Sequence, residues 1–370
     1  MRAIISMLAN NDAGGMLEYT LSGAHFGMIF IPLLFLLAPI SYIFSELIMR
    51  LGIATGKTHH ELVRLHIGKI AANFSICAMV VGNFLYIITE FIGMATPLVF
   101  FGLPLWIASL ISLVFVCAIA LFWSEKRQDK IAMCVGGINV VFIVVAIMGF
   151  NAGHIGNLES VLGGMGGFEN SLWLFILATI GNTIAPFMLF FQQSDISTKQ
   201  EIWLGALLQS FFAAIVIVCG ASLLGAGAGV GDDVPSLIGA FAEYISPVAG
   251  ALFAVGLFNS GWLAAITISL ATTRTIYVRG HHASGFVTTL IFLVLGAGFI
   301  LIPCVPLGLV AVGTQIVGAI LLVPDLVYIA ILTSKRGIMG AKVNTRWQRV
   351  LAWGLAGLFG VVAACFLLTI

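Results

Sequence analysis

Ala9-Asn10-Asn11-Asp12-Ala13-Gly14-Gly15 decides how this chain folds. It places an acid, two amides and two glycines inside an apolar run that extends to about residue 24. A continuous membrane-spanning helix has no use for such a stretch. A helix that breaks at mid-membrane, and turns freed carbonyls and one carboxylate towards a cation, needs one. A second interruption follows about half a chain later, at Gly181-Asn182-Thr183-Ile184-Ala185-Pro186-Phe187. Proline lacks a backbone donor, so Pro186 frees the carbonyl four residues earlier, that of Asn182. The two interruptions, facing each other, carry the functional expectation.

The rest of the composition agrees with a membrane protein. Of 370 residues, 61% are apolar and only 8% are charged. Soluble domains carry about 25% charged residues, which excludes a soluble protein. Cys77, Cys117, Cys134, Cys219, Cys304 and Cys365 stand singly in apolar runs, as small buried residues do, with neither metal-ligand nor disulfide spacing. A net charge of +1 gives no field for nucleic acid. No secretory signal order is visible at the N-terminus. No cofactor and no obligate protein partner is implied; the partners are the lipid bilayer and a transported ion.

Apolar runs long enough to cross a bilayer, about 20 residues each, predict eleven spans. They lie near 2–24 (broken at 12–15), 26–50, 68–99, 104–123, 131–150, 170–195 (broken at 181–186), 202–225, 247–273, 285–303, 308–333 and 347–369. The longest connections, Asn151–Glu169 and Gly225–Ser246, read as loops, and the Gly225–Gly231 run that opens the second reads as a flexible linker. With the N-terminus inside, all sixteen lysines and arginines fall on inner segments. That predicts a cytoplasmic N-terminus and an outer C-terminus in the plasma (inner) membrane. Glu159, Glu169, Asp232, Asp233 and Glu243 then give an acidic outer face that concentrates cations. Broken first and sixth spans divide the chain into inverted halves, residues 1–150 and 151–333, followed by an extra helix over 334–370.

Asp12 is the strongest candidate ligand, because an acid within a span costs about 2.5–3.5 kcal/mol on insertion scales. Its plain alternative is an acid at a frayed helix end. For Gly181–Phe187 the plain alternative is a simple proline kink. Glu90, in the third span without a basic neighbour in sequence, is either a neutral hydrogen-bonded acid or a cation relay. Gln315 either touches a hydrated ion or bonds a neighbouring helix. Asp325 suits an inner vestibule, Glu46 and Arg50 a structural i,i+4 pair, and Glu18 is next in line should Asp12 prove dispensable. Two enzyme motifs fail. His60-Glu61-Leu62-Val63-Arg64 lacks the second histidine of a zinc protease, and no Gly-x-Ser-x-Gly surrounds Ser260.

These residues resemble the Nramp family of divalent-metal transporters. Asp12-Ala13-Gly14-Gly15 sits where that family has Asp-Pro-Gly-Asn, and Gly181–Phe187 where it has Gly-Ala-Thr-Val-Met-Pro-His. Gly23-Ala24-His25-Phe26-Gly27, Leu51–Lys57, Thr89-Glu90-Phe91-Ile92-Gly93, Leu252–Gly261 and Gln315 through Met339-Gly340 are also similar to family stretches. The resemblance implies an all-α LeuT-type fold of five plus five inverted helices plus one. It further implies a metal site of Asp12, the backbone carbonyls of Ala9 and Asn182, and the positions of Gly15 and Ala185, with Gln315 beside them. Gly15 replaces the family's asparagine, Ala185 its methionine and Phe187 its histidine. Ile87 replaces an acid, and the ninth-span arginines are missing. This pattern is similar to the Nramp-related magnesium transporter branch. It implies Mg²⁺ transport, with Mn²⁺ also passing, without proton coupling. The alternatives are a proton-coupled Mn²⁺/Fe²⁺ transporter and an amino-acid transporter of the same fold; no enzyme is expected.

Overall fold

The computed structural model describes residues 4, 7–8, 10–122, 136–155, 169–193, 197–231, 233–276 and 282–369, and every element among them is helical. The first span is α1 (Ala13–Phe26), preceded by a turn at Asn10 and Asn11. Then come α2 (Ile31–Thr55), the short α3 (His59–His66), α4 (Lys69–Phe100) and α5 (Leu105–Phe122). The fifth span is α6 (Val141–Asn151), entered by a 3₁₀ turn. The broken sixth is α7 (Glu169–Thr183) and α8 (Pro186–Gln193). The remainder is α9 (Lys199–Gly225), α10 (Val234–Ala240), α11 (Pro247–Ile276), α12 (His282–Phe299), α13 (Leu307–Ser334), α14 (Arg336–Met339) and α15 (Arg346–Thr369). All eleven expected spans have a helical counterpart.

Three expectations need correction. The first interruption lies earlier than 12–15: the Asp12 carboxylate accepts from the Gly15 amide and N-caps α1, so Ala13, Gly14 and Gly15 are already helical. The second is narrower than 181–186. Gly181 to Thr183 stay helical, only Ile184 and Ala185 are unwound, and Pro186 opens α8, where a missing N–H leaves no bond unmade. The Gly225–Ser246 connection is not loop throughout. Asp233 caps α10, Pro235 sits in its first turn, and the π-helical turn Phe241–Ile245 stacks Phe241 on Phe253 of α11 at 4.3 Å between ring centroids. The Asn151–Glu169 connection lies mostly outside the described residues, as do Arg2, Lys126, Arg127, Lys130 and Arg279.

Small residues let the helices cross at backbone contact. A side chain on Gly23 of α1 would meet the Ile217 carbonyl of α9, and one on Gly220 of α9 would meet the Thr20 carbonyl of α1. The outer surface of the bundle is greasy, with Ile70, Leu36, Phe150 and Leu358 exposed, and with Trp106, Trp173, Trp203 and Trp347 near helix ends. Among the described residues, seven helices are long and apolar enough to cross a membrane, and shorter apolar helices accompany them.

Three of the segments predicted to share one face meet: 50–69, 193–199 and 335–348. Glu46 on α2 pairs with Arg50 at 3.3 Å and with Lys199 of α9 at 3.5 Å. Arg50 also donates to Asn344 at 2.6 Å and to the Lys342 carbonyl at 3.0 Å. Lys335 reaches the His66 carbonyl, and Gln193 that of Lys57. At the opposite end, Gly225 presses on the His154 carbonyl, joining the two long connections.

Candidate cation site at the helix breaks

The two interruptions are bonded to each other. Ending α7 at Thr183 frees the carbonyls of its last turn, which need donors. Asn10 supplies them, with Nδ2 donating to the Asn182 carbonyl at 2.6 Å and to the Thr183 carbonyl at 3.1 Å. Gln209 of α9 adds a bond to Thr183 at 2.8 Å, and Asn11 donates to the Gln209 carbonyl at 3.1 Å.

Two acids sit at the start of α1. Asp12 Oδ1 accepts from the Gly15 amide at 2.5 Å and from Gln315 Nε2 of α13 at 3.3 Å. Glu90 of α4 accepts the Ala13 amide at 2.9 Å and the Thr89 hydroxyl at 3.3 Å. A helix N-terminus favours negative charge, which explains how both acids are held there. Capping does not use all of Asp12, since its Oδ2 is buried without a donor. None of the ion pairs among the described residues involves Asp12, Glu18 or Glu90.

Buried oxygens without donors concentrate here. They are Asn10 Oδ1, Asn11 Oδ1, Asp12 Oδ2, Asn182 Oδ1, Gln209 Oε1 and Gln315 Oε1. Leaving a buried polar group unsatisfied costs about 1–3 kcal/mol, so such a gathering is kept only where something else uses it. Acceptors that lack donors suit a cation and its water shell. Among the described residues no three His, Cys, Asp or Glu side chains form a ready-made metal cage. The donors on offer are therefore one carboxylate and neutral oxygens.

The expected ligand positions differ in what they offer. Ala9 lies outside the described residues. The Asn182 carbonyl is occupied by Asn10, whereas the Asn182 side chain turns into the site. That side chain fills the space in which a Cβ on Gly15 would stand. Gly15 and Ala185 are buried and carry no donor side chain, and Gln315 contacts Asp12 directly. Phe187 and Ile87 are fully buried, and Phe187 packs edge-on against Tyr86 at 5.6 Å. Asp325 is not at this site; it accepts from Ser75 at 2.5 Å and lies 3.2 Å from His59 Nε2. Asn10, Asn11 and Gln209 received no role from the sequence. Gln209 had a signal, an amide alone among Leu207, Leu208, Phe211 and Phe212 within a span.

The profile of natural resistance-associated macrophage protein-like (Nramp) proteins matches residues 3–369. The divalent metal cation transporter MntH of Bacillus subtilis (strain 168) is 25% identical over 387 residues, which cover 96% of this chain and 88% of that protein. The protein of the same name from Staphylococcus haemolyticus (strain JCSC1435) is 26% identical over 390 residues, 93% of this chain and 85% of its own. The Eremococcus coleocola manganese transporter, in complex with an aromatic bis-isothiourea substituted compound, superimposes with a TM-score of 0.73 at 20% identity, over 98% of this chain and 84% of that one. MhsT in complex with L-phenylalanine gives a TM-score of 0.67 at 14% identity, over 99% and 97%. The shared architecture is the all-helical LeuT-type fold.

Proposed function

The chain belongs to the Nramp-like family, whose members here are transporters and not enzymes, and we propose that it carries divalent cations across the membrane, Mg²⁺ first and Mn²⁺ beside it. The ion binds between the broken helices and is exposed alternately to each side. The observation that carries this is the set of donor-less buried oxygens around Asp12, with no basic side chain paired to that acid. The ligands are Asp12, Gln315 and the Asn182 carbonyl, which has a second lone pair beside its bond from Asn10. Ala9 contributes its carbonyl, and Gly15 and Ala185 shape the space. Mg²⁺ sheds water reluctantly and is usually held by one or two carboxylates with several waters kept. One carboxylate among neutral amide oxygens matches a partly hydrated ion. Thioether sulfur selects transition metals over hard alkaline earths, and Ala185 provides none.

Transport follows the ion's own gradient and the membrane potential. Phe187 and Ile87 give no titratable step towards the basic face. Residues 1–150 and 151–333 form the inverted halves and 334–370 the added helix, with the N-terminus cytoplasmic and the C-terminus outside. The second reading, proton-coupled Mn²⁺ transport, is favoured by one feature: Glu90 is buried at the same helix start as Asp12.

Uptake into proteoliposomes decides between them, with Mg²⁺, Mn²⁺ and Ca²⁺ in competition and internal pH recorded. Mg²⁺ is expected to enter, to compete with Mn²⁺, and to leave internal pH unchanged. Selective Mn²⁺ uptake that ignores a large excess of Mg²⁺, or acidification that disappears in Glu90→Gln, would establish the second reading.

A further inference from the structure

We propose that Glu18 and the side chain of Asn182 form a second cation station, placed between Asp12 and the face opposite the basic one, from which the ion is handed to Asp12. This rests on the transport reading above. The placement follows from chain direction. Helix α1 runs from the break to Gly27, and α2 starts just beyond and ends at the basic face with Arg50. Glu18 thus lies on the far side of Asp12 from that face, about 9 Å along the helix for six residues at about 1.5 Å each.

Glu18 is fully buried between α1 and α7. Its Oε1 accepts from Ser22 at 2.8 Å and from Thr179 of α7 at 2.8 Å, whereas its Oε2 has no donor. One turn along α7 from Thr179 stands Asn182, 1% exposed, with neither amide atom in a hydrogen bond. That amide lies beside the Glu18 carboxylate, outside bonding geometry, and over Gly15 on its other side. Asp12, Gly15, Glu18 and Ser22 follow one another at helical spacing along one stripe of α1. Thr179 and Asn182 face that stripe from α7, making a polar line through an apolar seam.

An acid serving only to tie α1 to α7 needs one oxygen, which a glutamine provides. Glu18 keeps a second oxygen outside any hydrogen bond, and the neighbouring amide makes none either. A carboxylate oxygen, an amide oxygen and retained waters are the donors that Mg²⁺ and Mn²⁺ accept. Six residues of helix, about 9 Å, separate Glu18 from Asp12, so the two stations act in turn. Passage needs binding weak enough at each station for the ion to leave it.

The test is Mg²⁺ uptake by proteoliposomes holding the wild type, Glu18→Gln, Glu18→Asp, Asn182→Ala and Asp12→Ala. Gln retains an acceptor for Ser22 and Thr179 and replaces the second carboxylate oxygen with an amide N–H donor. We expect Glu18→Gln and Asn182→Ala to raise KM about tenfold or more, as loss of a metal-supporting group does, at a near-unchanged maximal rate. Glu18→Asp is expected to stay closer to wild type. A purely structural role predicts the reverse, a lower maximal rate at wild-type KM. Wild-type KM in Glu18→Gln overturns the station. Should Glu18→Gln not extract as a monodisperse protein, wild-type KM in Asn182→Ala overturns it instead. Asp12→Ala separates the two levels: if it is inactive while Glu18→Gln keeps its KM, only the station falls, and if it transports normally, the transport reading falls with it.

Discussion

Buried acids are treated in opposite ways in two regions of this bundle. At the basic face each is matched: Glu46 holds Arg50 at 3.3 Å and Lys199 at 3.5 Å, and Asp325 is met by Ser75 and the His59 imidazole. At the helix breaks Asp12, Glu18 and Glu90 receive only neutral amides and hydroxyls, and Asp12 and Glu18 each keep an oxygen with no donor at all. Burying an ionised carboxylate without a counter-charge is costly. The first set shows how this protein meets that cost when the acid is only structural. The second leaves it unmet, which suits acids whose counter-charge arrives and departs.

The sharpest way to break this contrast is at Asp12. Asp12→Asn keeps an N-cap of equal rank, and so leaves α1 intact while removing the charge. Uptake of Mg²⁺ and Mn²⁺ is expected to fall to background, at wild-type expression and thermal stability. Retained uptake by a well-folded Asp12→Asn protein would remove the distinction between the two regions.

The next largest effect concerns Gly15 and Asn182, whose side-chain space is shared. Gly15→Asn drives a second amide into the first; overpacking of this kind costs about 1–3 kcal/mol. Thermal stability and uptake should both drop. Adding Asn182→Ala vacates the space, and the double variant is expected to regain most of its thermal stability and of its uptake rate at saturating Mg²⁺. A double variant no better than Gly15→Asn would mean that the two positions do not share a site. Coupling is read from the four proteins of the cycle.

That pair also marks where sequence reasoning stops. The spans were legible because apolar runs of bilayer length have few other uses, and the breaks because acids, amides and proline interrupt them. Of the lysines and arginines expected on one face, Arg50 and Lys199 share Glu46, and Arg50 reaches the Lys342 carbonyl. The exact breaks were not legible, since Asp12 as an N-cap extends α1 towards the N-terminus by hydrogen bonding alone. Nor was the direction of Asn182. Its place in the motif assigns it a carbonyl, but helix rotation turns its side chain onto Gly15 and gives its carbonyl to Asn10. The missing asparagine of the first break is thus answered by an asparagine in the sixth span, where the family motif has alanine. Only packing between distant segments reveals such an exchange.

A moderate effect is expected at Asp325. His59→Ala leaves that buried acid with Ser75 as its remaining side-chain partner. Losing one partner of a buried polar group costs about 1–3 kcal/mol. The melting temperature should fall while KM for Mg²⁺ stays near wild type. A large KM change with unaltered stability would move Asp325 from the structural set to the transporting one.

The smallest effect should come from Lys199. Its side chain is 68% exposed while that of Glu46 is 7% exposed. Arg50 holds the same carboxylate and is itself fixed by Asn344, Gln348 and the Lys342 carbonyl. Removing Lys199 leaves Glu46 paired, so Lys199→Ala should cost no more than the roughly 0.2–1 kcal/mol of an exposed pair. Arg50→Ala is different: it strips the acid of its better-held partner and cuts the link from α2 to the 342–348 segment, and it should destabilise more than Lys199→Ala does. Equal melting shifts for the two variants would mean that Glu46 is balanced by the surrounding field and not by a particular partner. Matched and unmatched acids would then differ in degree of exposure rather than in kind.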